Sequence, residues 1–311
     1  MNNYKNSVIV KNMSKAFGQL QAVDNISFHV HKGEIFGFLG PNGAGKTTSV
    51  RMLTGVFPPD TGQIYIAGYN LLDQTLAAKM RIGVAPESAN AYLDLTALEN
   101  ILFMAEMYGL SGKKIRKRAE ELLNIFNLLD RKNDKIKQFS KGMRQKMILC
   151  MALINEPEIL FLDEPTSGLD VQSRYLIRNI IKDLNQGGTT IFLTTHNINE
   201  ANKLCDRIAI MNKGEIAAID SPENLKNTFV SSQSVEVSFK FGSPNFLDNL
   251  SYANSIEKRG DKYRLYSDEP GQLAMKLIEQ VKSSNLGLNS IRTIGPELEE
   301  VFIKLTEEKK E

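Results

Sequence analysis

A glycine-rich run near residue 40 has the composition and spacing of a loop that holds phosphates. The run is Gly40, Pro41, Asn42, Gly43, Ala44, Gly45, Lys46, Thr47 and Thr48. This order fits the pattern G-x-x-x-x-G-K-[ST], in which glycines let backbone N–H groups turn inward around phosphates. A helix beginning at Lys46 would add partial positive charge at its N-terminus. We therefore predict a nucleotide-binding loop, called the phosphate loop below.

Two side chains of the phosphate loop have a defined chemical use. We expect Lys46 to reach the β- and γ-phosphates and the Thr47 hydroxyl to bind Mg²⁺. An ordinary glycine-rich turn is the structural alternative. The apolar run at residues 34–39 and the helical stretch after the loop favour the phosphate loop, because they form the strand–loop–helix context that it needs.

Two adjacent carboxylates follow a second short apolar run, residues 159–162. They are Asp163 and Glu164. A strand that ends in Asp places a carboxylate at the C-terminal edge of a parallel sheet, where ligands bind in such folds. We predict that Asp163 holds Mg²⁺ and that Glu164 polarises the attacking water. A solvated acidic turn is the alternative, but together with the phosphate loop the pair favours ATP hydrolysis.

The elements that must position these residues form an α/β fold. The apolar runs at residues 34–39, 159–162 and 190–193 are separated by helical stretches, which predicts parallel strands covered on both faces. Between residues 95 and 152 apolar residues recur at helical spacing. We predict a P-loop NTPase core with a mixed sheet and a mostly helical insert at about residues 88–155.

A change of composition at Ser221 and Pro222 predicts a domain boundary. We assign residues 1–222 to the ATP-binding domain and residues 223–311 to a small α+β accessory domain. The accessory domain is expected to have the order β-α-β-β-α-β with a terminal helix. Its predicted elements are a strand at 234–240, a helix near 246–250, a hairpin at 255–266, a helix at 272–282, a strand at 288–293 and a helix at 297–306.

Composition excludes several classes of protein. The formal net charge is only +2 over 311 residues, so the whole molecule is not a polyanion binder, and no nucleic acid partner is expected. Cys150 and Cys205 show no CxxC spacing, which excludes a disulfide framework and a cysteine-rich zinc site and fits the cytosol. No signal peptide and no run of eighteen apolar residues is visible, so any membrane span must come from another chain.

The strongest basic run is residues 113–118, Lys-Lys-Ile-Arg-Lys-Arg. It could contact anionic lipid headgroups or nucleic acid. We favour the solvated face of a helix, because Glu120 and Glu121 follow within one turn.

With these motifs in order, the sequence resembles the nucleotide-binding subunit of an ATP-binding cassette (ABC) transporter over about residues 5–220. Residues 139–145 resemble the family signature, commonly Leu-Ser-Gly-Gly-Gln, and residues 167–170 resemble the loop after the catalytic carboxylate. His196 matches the switch histidine. Phe17 stands where the family stacks an aromatic ring on adenine, although an aromatic residue at a strand end is often part of a core.

The resemblance implies a site shared between two chains. Ser140 and Gly142 would grip the γ-phosphate of ATP held by a second ATP-binding subunit, so that two nucleotides lie in a sandwich. His196 would contact the γ-phosphate and orient the water, which makes Glu164, His196 and Lys46 the expected catalytic residues. The family docks an integral membrane permease on the helical insert, so the chain is expected at the cytoplasmic face of a membrane.

Two departures from the family pattern point to a subclass. Glu87 stands where the family usually has Gln; it could reach Mg²⁺, but it adds negative charge. Lys141 and Met143 replace Gly and Gln in the signature. Both departures, and residues 296–302, resemble the subclass that pairs with separate export permeases.

Two other functions stay open from the sequence. One is a non-transport cassette ATPase that acts on ribosomes or DNA, but such factors usually carry two cassettes or a long coiled coil, and this chain has one phosphate loop and no sustained heptads. The other is a P-loop kinase, in which the signature and His196 would have no evident use.

Overall fold

The computed structural model describes residues 5–87, 91–228, 233–241, 246, 247, 250, 252–284 and 286–307. The chain divides into two compact units, which are Met1–Ile219 and Asp220–Glu311. The sequence analysis places its boundary between residues 222 and 223.

The first unit contains the following elements in chain order: β1 (Asn6–Phe17), β2 (Leu20–His31), β3 (Ile35–Leu39), α1 (Lys46–Leu53), β4 (Thr61–Ile66), β5 (Tyr69–Asn70), α2 (Thr75–Lys79), β6 (Ile82–Ala85), α3 (Ala97–Met107), α4 (Lys113–Ile125), α5 (Lys141–Leu153), β7 (Ile159–Asp163), α6 (Val171–Gln186), β8 (Thr190–Thr195), α7 (Ile198–Leu204), β9 (Arg207–Asn212) and β10 (Glu215–Asp220). The second unit contains α8 (Pro222–Asn227), β11 (Ser234–Phe241), β12 (Ser255–Arg259), β13 (Lys262–Tyr266), α9 (Pro270–Ser283), β14 (Gly287–Ile294) and α10 (Leu298–Glu307).

The central sheet of the first unit has the strand order β10-β9-β3-β8-β7-β6. Strands β3, β7 and β8 are parallel neighbours and are buried along their whole length, which is why they read as continuous apolar runs. Their C-terminal ends lie at one edge of the sheet. The phosphate loop follows β3, Glu164 follows β7 and His196 follows β8, so all three lie at that edge.

A cluster of phenylalanine rings fills the core beneath this edge. The Phe192 ring lies 4.9 Å from that of Phe38 and 5.3 Å from that of Phe161, measured between centroids. Phe28 and Phe36 complete the cluster, with rings 5.6 Å apart. Phe192, Phe38 and Phe161 have no exposed surface, so the strands that carry the site rest on a tightly packed layer.

The second sheet is antiparallel, with the order β2-β1-β4-β5. In the sequence, the β-branched and apolar residues at 8–10 and 26–30 predict two short strands here, whereas β1 and β2 have twelve residues each. The prediction was too short because the strands are irregular. Asn12 and Asn25 have positive φ, and register shifts interrupt the β1–β2 pairing, so apolar residues do not alternate steadily.

Helices α3, α4 and α5 lie within the predicted insert. Helix α3 begins with a capping box, in which Thr96 accepts from the Glu99 N–H while Glu99 accepts from the Thr96 N–H. No described helix of the chain is both long and apolar enough to cross a bilayer. The α/β fold with a helical region and an added antiparallel sheet is confirmed.

The second unit is an antiparallel sheet of order β12-β13-β11-β14 with α9 packed on one face. Its core includes Val235, Leu265 and Leu273, all fully buried. Arg264 is also buried, and it pairs with Glu297 at 3.1 Å and Glu300 at 2.9 Å. The helix expected near residues 246–250 includes residues 248 and 249, which lie outside the described part.

Replacing Phe192 by Ala should destabilise the first unit. The change removes a fully buried ring and its contacts with neighbouring rings, which typically costs about 3–5 kcal/mol. Calorimetry should show a lower midpoint for the thermal transition of this unit. Tyr175→Ala is the control, because Tyr175 is 69% exposed and its loss should leave the midpoint unchanged. A wild-type midpoint for Phe192→Ala would refute the importance of the ring cluster.

Candidate active site

The phosphate loop fits closely between neighbouring strands. Gly43 and Gly45 have φ values of 82° and 100°, a backbone conformation that favours glycine. A Cβ atom on Gly45 would lie 2.5 Å from the Ala22 carbonyl oxygen, and one on Gly40 would lie 2.6 Å from the Met211 carbonyl oxygen. Glycine is therefore required at Gly40 and Gly45 because backbone atoms of other strands occupy the space.

The Lys46 side chain is held inside this loop. Its ammonium donates to the carbonyl oxygens of Gly40 at 2.7 Å and Pro41 at 3.0 Å. The residue is only 7% exposed. Burial lowers the pKa of Lys46, while the negative charges of Glu164, Asp163 and Glu87 oppose that shift. The opposing carboxylates favour the charged form that would attract phosphate.

Asp163 is the last residue of β7 and is tied to two hydroxyl groups. Thr194 donates to its Oδ1, and Thr47 Oγ1 donates to the same oxygen at 3.4 Å. Thr47 follows Lys46 in the first turn of α1. The two predicted metal-binding residues therefore come together, although one belongs to a helix and the other to a strand.

Glu164 adopts an uncommon backbone conformation directly after β7. Its φ is +51°, and its N–H donates to Thr194 Oγ1 at 3.1 Å. The left-handed region costs a non-glycine residue of order 1–3 kcal/mol and is concentrated at functional sites. The side chain is 8% exposed, so the turn presents a buried carboxylate to the site.

His196, after β8, is in contact with that carboxylate. Its Nδ1 lies 2.9 Å from Glu164 Oε2. Burial raises the pKa of Glu164, and the hydrogen bond from His196, with the charge of Lys46, counters part of the rise. A carboxylate with a raised pKa and an imidazole partner is suited to take a proton from water near neutral pH.

These residues border one cavity of about 620 Å³. The sequence-predicted residues that line it are Phe17, Asn42, Gly43, Gly45, Lys46, Thr47, Thr48, Glu87, Glu164 and His196. Gly40, Pro41 and Asp163 support the cavity through Lys46 and Thr47, and Ala44 is buried. Ser140 and Gly142 do not line it; they lie at the start of α5.

Phe17 presents an open ring to the cavity. It is 50% exposed and packs edge to face on Phe57 with centroids 5.8 Å apart. The Lys15 ammonium lies 5.7 Å from both ring centroids and pairs with Asp60 at 2.6 Å. The half-exposed ring is available for stacking and is not a core residue.

Several lining residues were not predicted from the sequence. They are Leu20, Gln21, Ala22 and Lys213, while Ser167 of the predicted loop at residues 167–170 also lines the cavity. The first three begin β2, which the prediction started too late. Lys213 has φ +48° in the β9–β10 turn, where the Gly214 N–H donates to the Ala44 carbonyl oxygen at 3.1 Å. The Asn-Lys-Gly turn was visible in the sequence, but its contact with the phosphate loop was not.

A buried carboxylate, Glu200, was also missed. It accepts from Thr166 Oγ1 and from Thr195 Oγ1, the latter at 3.0 Å, and pairs with Arg178 at 3.2 Å. Glu200 is 1% exposed. It therefore ties the segment after Glu164 to the residue before His196, which fixes their spacing.

The segment around Ser140 packs on the loop at residues 167–170. Ser140 caps α5 by accepting from the Met143 N–H at 3.3 Å and is itself exposed. A Cβ on Gly142 would lie 2.9 Å from Ser173 Oγ, and one on Gly168 would lie 2.2 Å from Lys141 Nζ. The start of α5 therefore faces outward as a helix N-terminus with its own supporting loop, apart from the cavity.

Comparisons with known proteins place the chain among cassette ATPases. The family model described as "ABC transporter" matches residues 23–167. The linearmycin resistance ATP-binding protein LnrL of Bacillus subtilis is 36% identical over 301 residues, covering 95% of this chain and 97% of the relative. The Nod factor export ATP-binding protein I of Rhizobium etli is 35% identical over 305 residues, covering 97% of this chain and 94% of the relative.

Solved structures resemble about seven tenths of this chain. The structure of an ATP-binding subunit of an ABC transporter has a TM-score of 0.67 and 31% identity, covering 71% of this chain and 92% of that one. A dimeric bacterial ABC transporter cassette has a TM-score of 0.65 and 30% identity, covering 69% and 98%. A dimeric post-hydrolysis cassette bound to ADP and phosphate has a TM-score of 0.64 and 32% identity, also covering 69% and 98%.

The Glu164 carboxyl should titrate above the ordinary range of glutamate in the chain without nucleotide. Removing the imidazole with His196→Ala should raise its pKa further, because the hydrogen bond and positive charge that lower it are lost. Titration by ¹³C NMR measures both values, and the resonance absent from Glu164→Gln identifies the residue. A midpoint at or below the ordinary value, or a lower one in His196→Ala, would contradict this electrostatic picture.

Proposed function

The chain belongs to the ABC transporter family as a subunit that binds and hydrolyses ATP, and from that premise we propose that it powers an exporter as a nucleotide-sandwich dimer on a separate membrane permease. The observation that carries the proposal is the convergence of Lys46, Glu164 and His196 on one cavity while Ser140 faces outward elsewhere. Export is supported by relatives named for linearmycin resistance and Nod factor export.

The nucleotide is held by its phosphates and its base. The phosphate loop and Lys46 bind the β- and γ-phosphates, and Thr48 adds a hydroxyl at the first turn of α1. Phe17 stacks on adenine, at the end of the cavity bordered by β1 and β2. Stacking needs an exposed aromatic face, which Phe17 offers.

The residues around Thr47 fit Mg²⁺. Thr47 Oγ1 and Asp163 Oδ1 are hard oxygen donors 3.4 Å apart, and Glu87 lines the same cavity. Within the described residues no group of three or more His, Cys, Asp or Glu side chains could hold a metal by itself. Mg²⁺ is usually bound by one or two protein oxygens together with substrate phosphates, and Thr47 Oγ1 and Asp163 Oδ1 are such oxygens. When bound, it neutralises phosphate charge.

Hydrolysis requires a proton acceptor and a fixed water. Glu164 accepts the proton as the water attacks, and its raised pKa makes it a better acceptor than an ordinary glutamate. His196 holds the carboxylate through Nδ1. Its other ring nitrogen, Nε2, would contact the γ-phosphate and help to orient the water.

The second half of the site comes from another ATP-binding subunit. Ser140 and the first N–H groups of α5 form an exposed helix N-terminus, which favours a phosphate. They do not line the cavity of their own chain. Supplying them to the partner's nucleotide would join two chains through the bound nucleotide, and a similar cassette has been solved as a dimer.

The permease is proposed to dock in an apolar groove of about 290 Å³ between the core and the helical insert. Leu76, Met80 and Ile82 border one side, and Met107 and Tyr108 border the other. Leu76 is 76% exposed and Met107 66% exposed. A cytoplasmic amphipathic segment of the permease is the proposed occupant, because an exporter must span the membrane through a partner chain and such a segment would cover these apolar groups. The chain would then lie at the cytoplasmic face of the membrane.

Replacing Glu164 by Gln should separate binding from turnover. Gln keeps the size of the side chain but cannot accept the proton, so kcat for ATP hydrolysis should fall on the order of 10²–10⁴-fold. The affinity for ATP by calorimetry should stay close to that of the wild type.

Lys46→Ala is the contrasting variant. It removes the buried ammonium that meets the phosphates, so calorimetry should show loss of ATP binding itself. Wild-type turnover in Glu164→Gln, or wild-type affinity in Lys46→Ala, would overturn the role assigned to that residue.

Changing the groove should release the permease without stopping hydrolysis. Leu76→Glu with Met107→Glu places two charges on the apolar walls, so affinity purification from detergent-solubilised native membranes should no longer recover a multispanning membrane protein. A photo-crosslinking residue at position 76 or 107 should label that protein. Met275, which is 62% exposed in the second unit, is the control for both changes. Retained partner in the double variant, or labelling only from position 275, would refute docking in the groove.

A further inference from the structure

Four exposed cations stand together at the beginning of α4. They are Lys113, Lys114, Arg116 and Lys117, defined here as the basic patch. From the sequence, an ordinary solvated helix face is expected here, because Glu120 and Glu121 follow within one turn.

The two acids that follow on α4 do not form ion pairs with Lys113, Lys114 or Arg116. Glu120 pairs with Lys132 at 2.9 Å. Glu121 lies 3.8 Å from Arg118 and 3.9 Å from Lys117, which is 81% exposed.

Three members of the basic patch therefore keep uncompensated charge. In the part of the chain that the structure describes, no salt bridge within 4.0 Å involves Lys113, Lys114 or Arg116. Arg116 exerts only a lesser attraction on Glu120, after Lys132. The basic patch does lie on an exposed helix face, as expected, but the acids that follow it do not neutralise these three side chains.

Local helix physics does not explain the cations. The first turn of α4 contains no acid, and Gly112 caps it without a side-chain hydrogen bond. Cations at the positive end of a helix are unfavourable, because they are repelled by the partial positive charge of its free N–H groups. Residues that break a local preference without a local gain are expected where a function uses them.

The basic patch continues from the docking groove along the chain. Met107 and Tyr108 border the groove, and Gly109, Leu110 and Lys114 border the next depression, of about 460 Å³. Lys113 follows Tyr108 by five residues, a span of at most about 18 Å. A groove occupied by a permease segment would hold the basic patch near the membrane surface.

We propose that the basic patch binds the headgroups of anionic phospholipids beside the permease. Its orientation toward the bilayer depends on the docking proposed above. Three of its four members are lysines, which act as mobile point charges and lack the fixed fork with which arginine recognises a particular carboxylate. Their exposed side chains suit a diffuse negative surface better than an acidic protein segment.

The effect of the charges on membrane affinity can be bounded. Each Lys or Arg near an anionic leaflet contributes about 1 kcal/mol, so removal of four should weaken binding to anionic vesicles on the order of 10²–10³-fold. The attraction should also weaken at high salt, because salt screens exposed charges.

Vesicle flotation of the full chain tests the proposal without the permease. Wild-type chain should bind vesicles containing phosphatidylglycerol and not vesicles of phosphatidylcholine alone. The variant with Lys113, Lys114, Arg116 and Lys117 changed to Gln should lose that binding. The control carries Gln at four exposed lysines elsewhere, Lys182, Lys203, Lys276 and Lys282, and should bind as the wild type does.

Other outcomes would contradict binding of anionic phospholipids by the basic patch. Equal binding by the two variants, or wild-type binding to both vesicle types, would overturn the proposal. If inorganic phosphate, at the concentration of the lipid headgroups, displaces the chain from the vesicles, then the basic patch is a site for free phosphate and not for a lipid surface. Failure to bind anionic vesicles, with patch-dependent recovery of the permease instead, would assign the patch to a protein partner. Wild-type ATP hydrolysis by the patch variant keeps this test separate from the catalytic assignments.

Discussion

The buried ammonium of Lys46 among carboxylates is the interaction on which the rest of the site depends. Burial disfavours its charge, and Glu164, Asp163 and Glu87 counter that effect. Asp163 and Glu164 lie at the end of β7, whereas Glu87 follows β6, so the balance exists only if these parallel strands end at one edge. The phenylalanine layer below and the Glu200 network beside them keep those ends in register. A nucleoside triphosphate adds negative charge beside these carboxylates, which is why the Lys46 cation must be held there in advance.

Much of this arrangement could be predicted from the sequence because the determining signals are local. The phosphate loop, the buried run before Asp163 and the cap at Ser140 each lie within a few residues, and the α/β fold that they imply is confirmed. The contacts that could not be predicted join distant segments. Ala22 lies against Gly45, and Glu200 links Thr166 to Thr195. Pairing of Glu120 with Lys132 likewise depends on how the insert folds, so the uncompensated basic patch was not visible.

The molecule separates its chemistry from its contacts with other chains. The proposed nucleotide site and base lie in the cavity, whereas Ser140, the proposed second phosphate-binding group, lies exposed outside it. The apolar groove and the basic patch lie on either side of the short connection between α3 and α4. With the groove on the permease and the basic patch on the membrane, a movement of the insert relative to the core, driven by the nucleotide, would be transmitted to the permease. The groove is suited to this role because its two walls belong to those two parts.

The central claim is that each ATP is completed by a signature from another chain, and mixing two inactive variants tests it most directly. Lys46→Ala disables the phosphate loop but leaves Ser140 intact. Ser140→Asp keeps a residue that caps helices well, yet places negative charge against the γ-phosphate. In a mixed dimer, one site combines an intact phosphate loop with an intact signature. The account predicts that the mixture hydrolyses ATP well above the rate of either variant alone. A mixture no more active than its components would contradict a site shared between two copies of this chain.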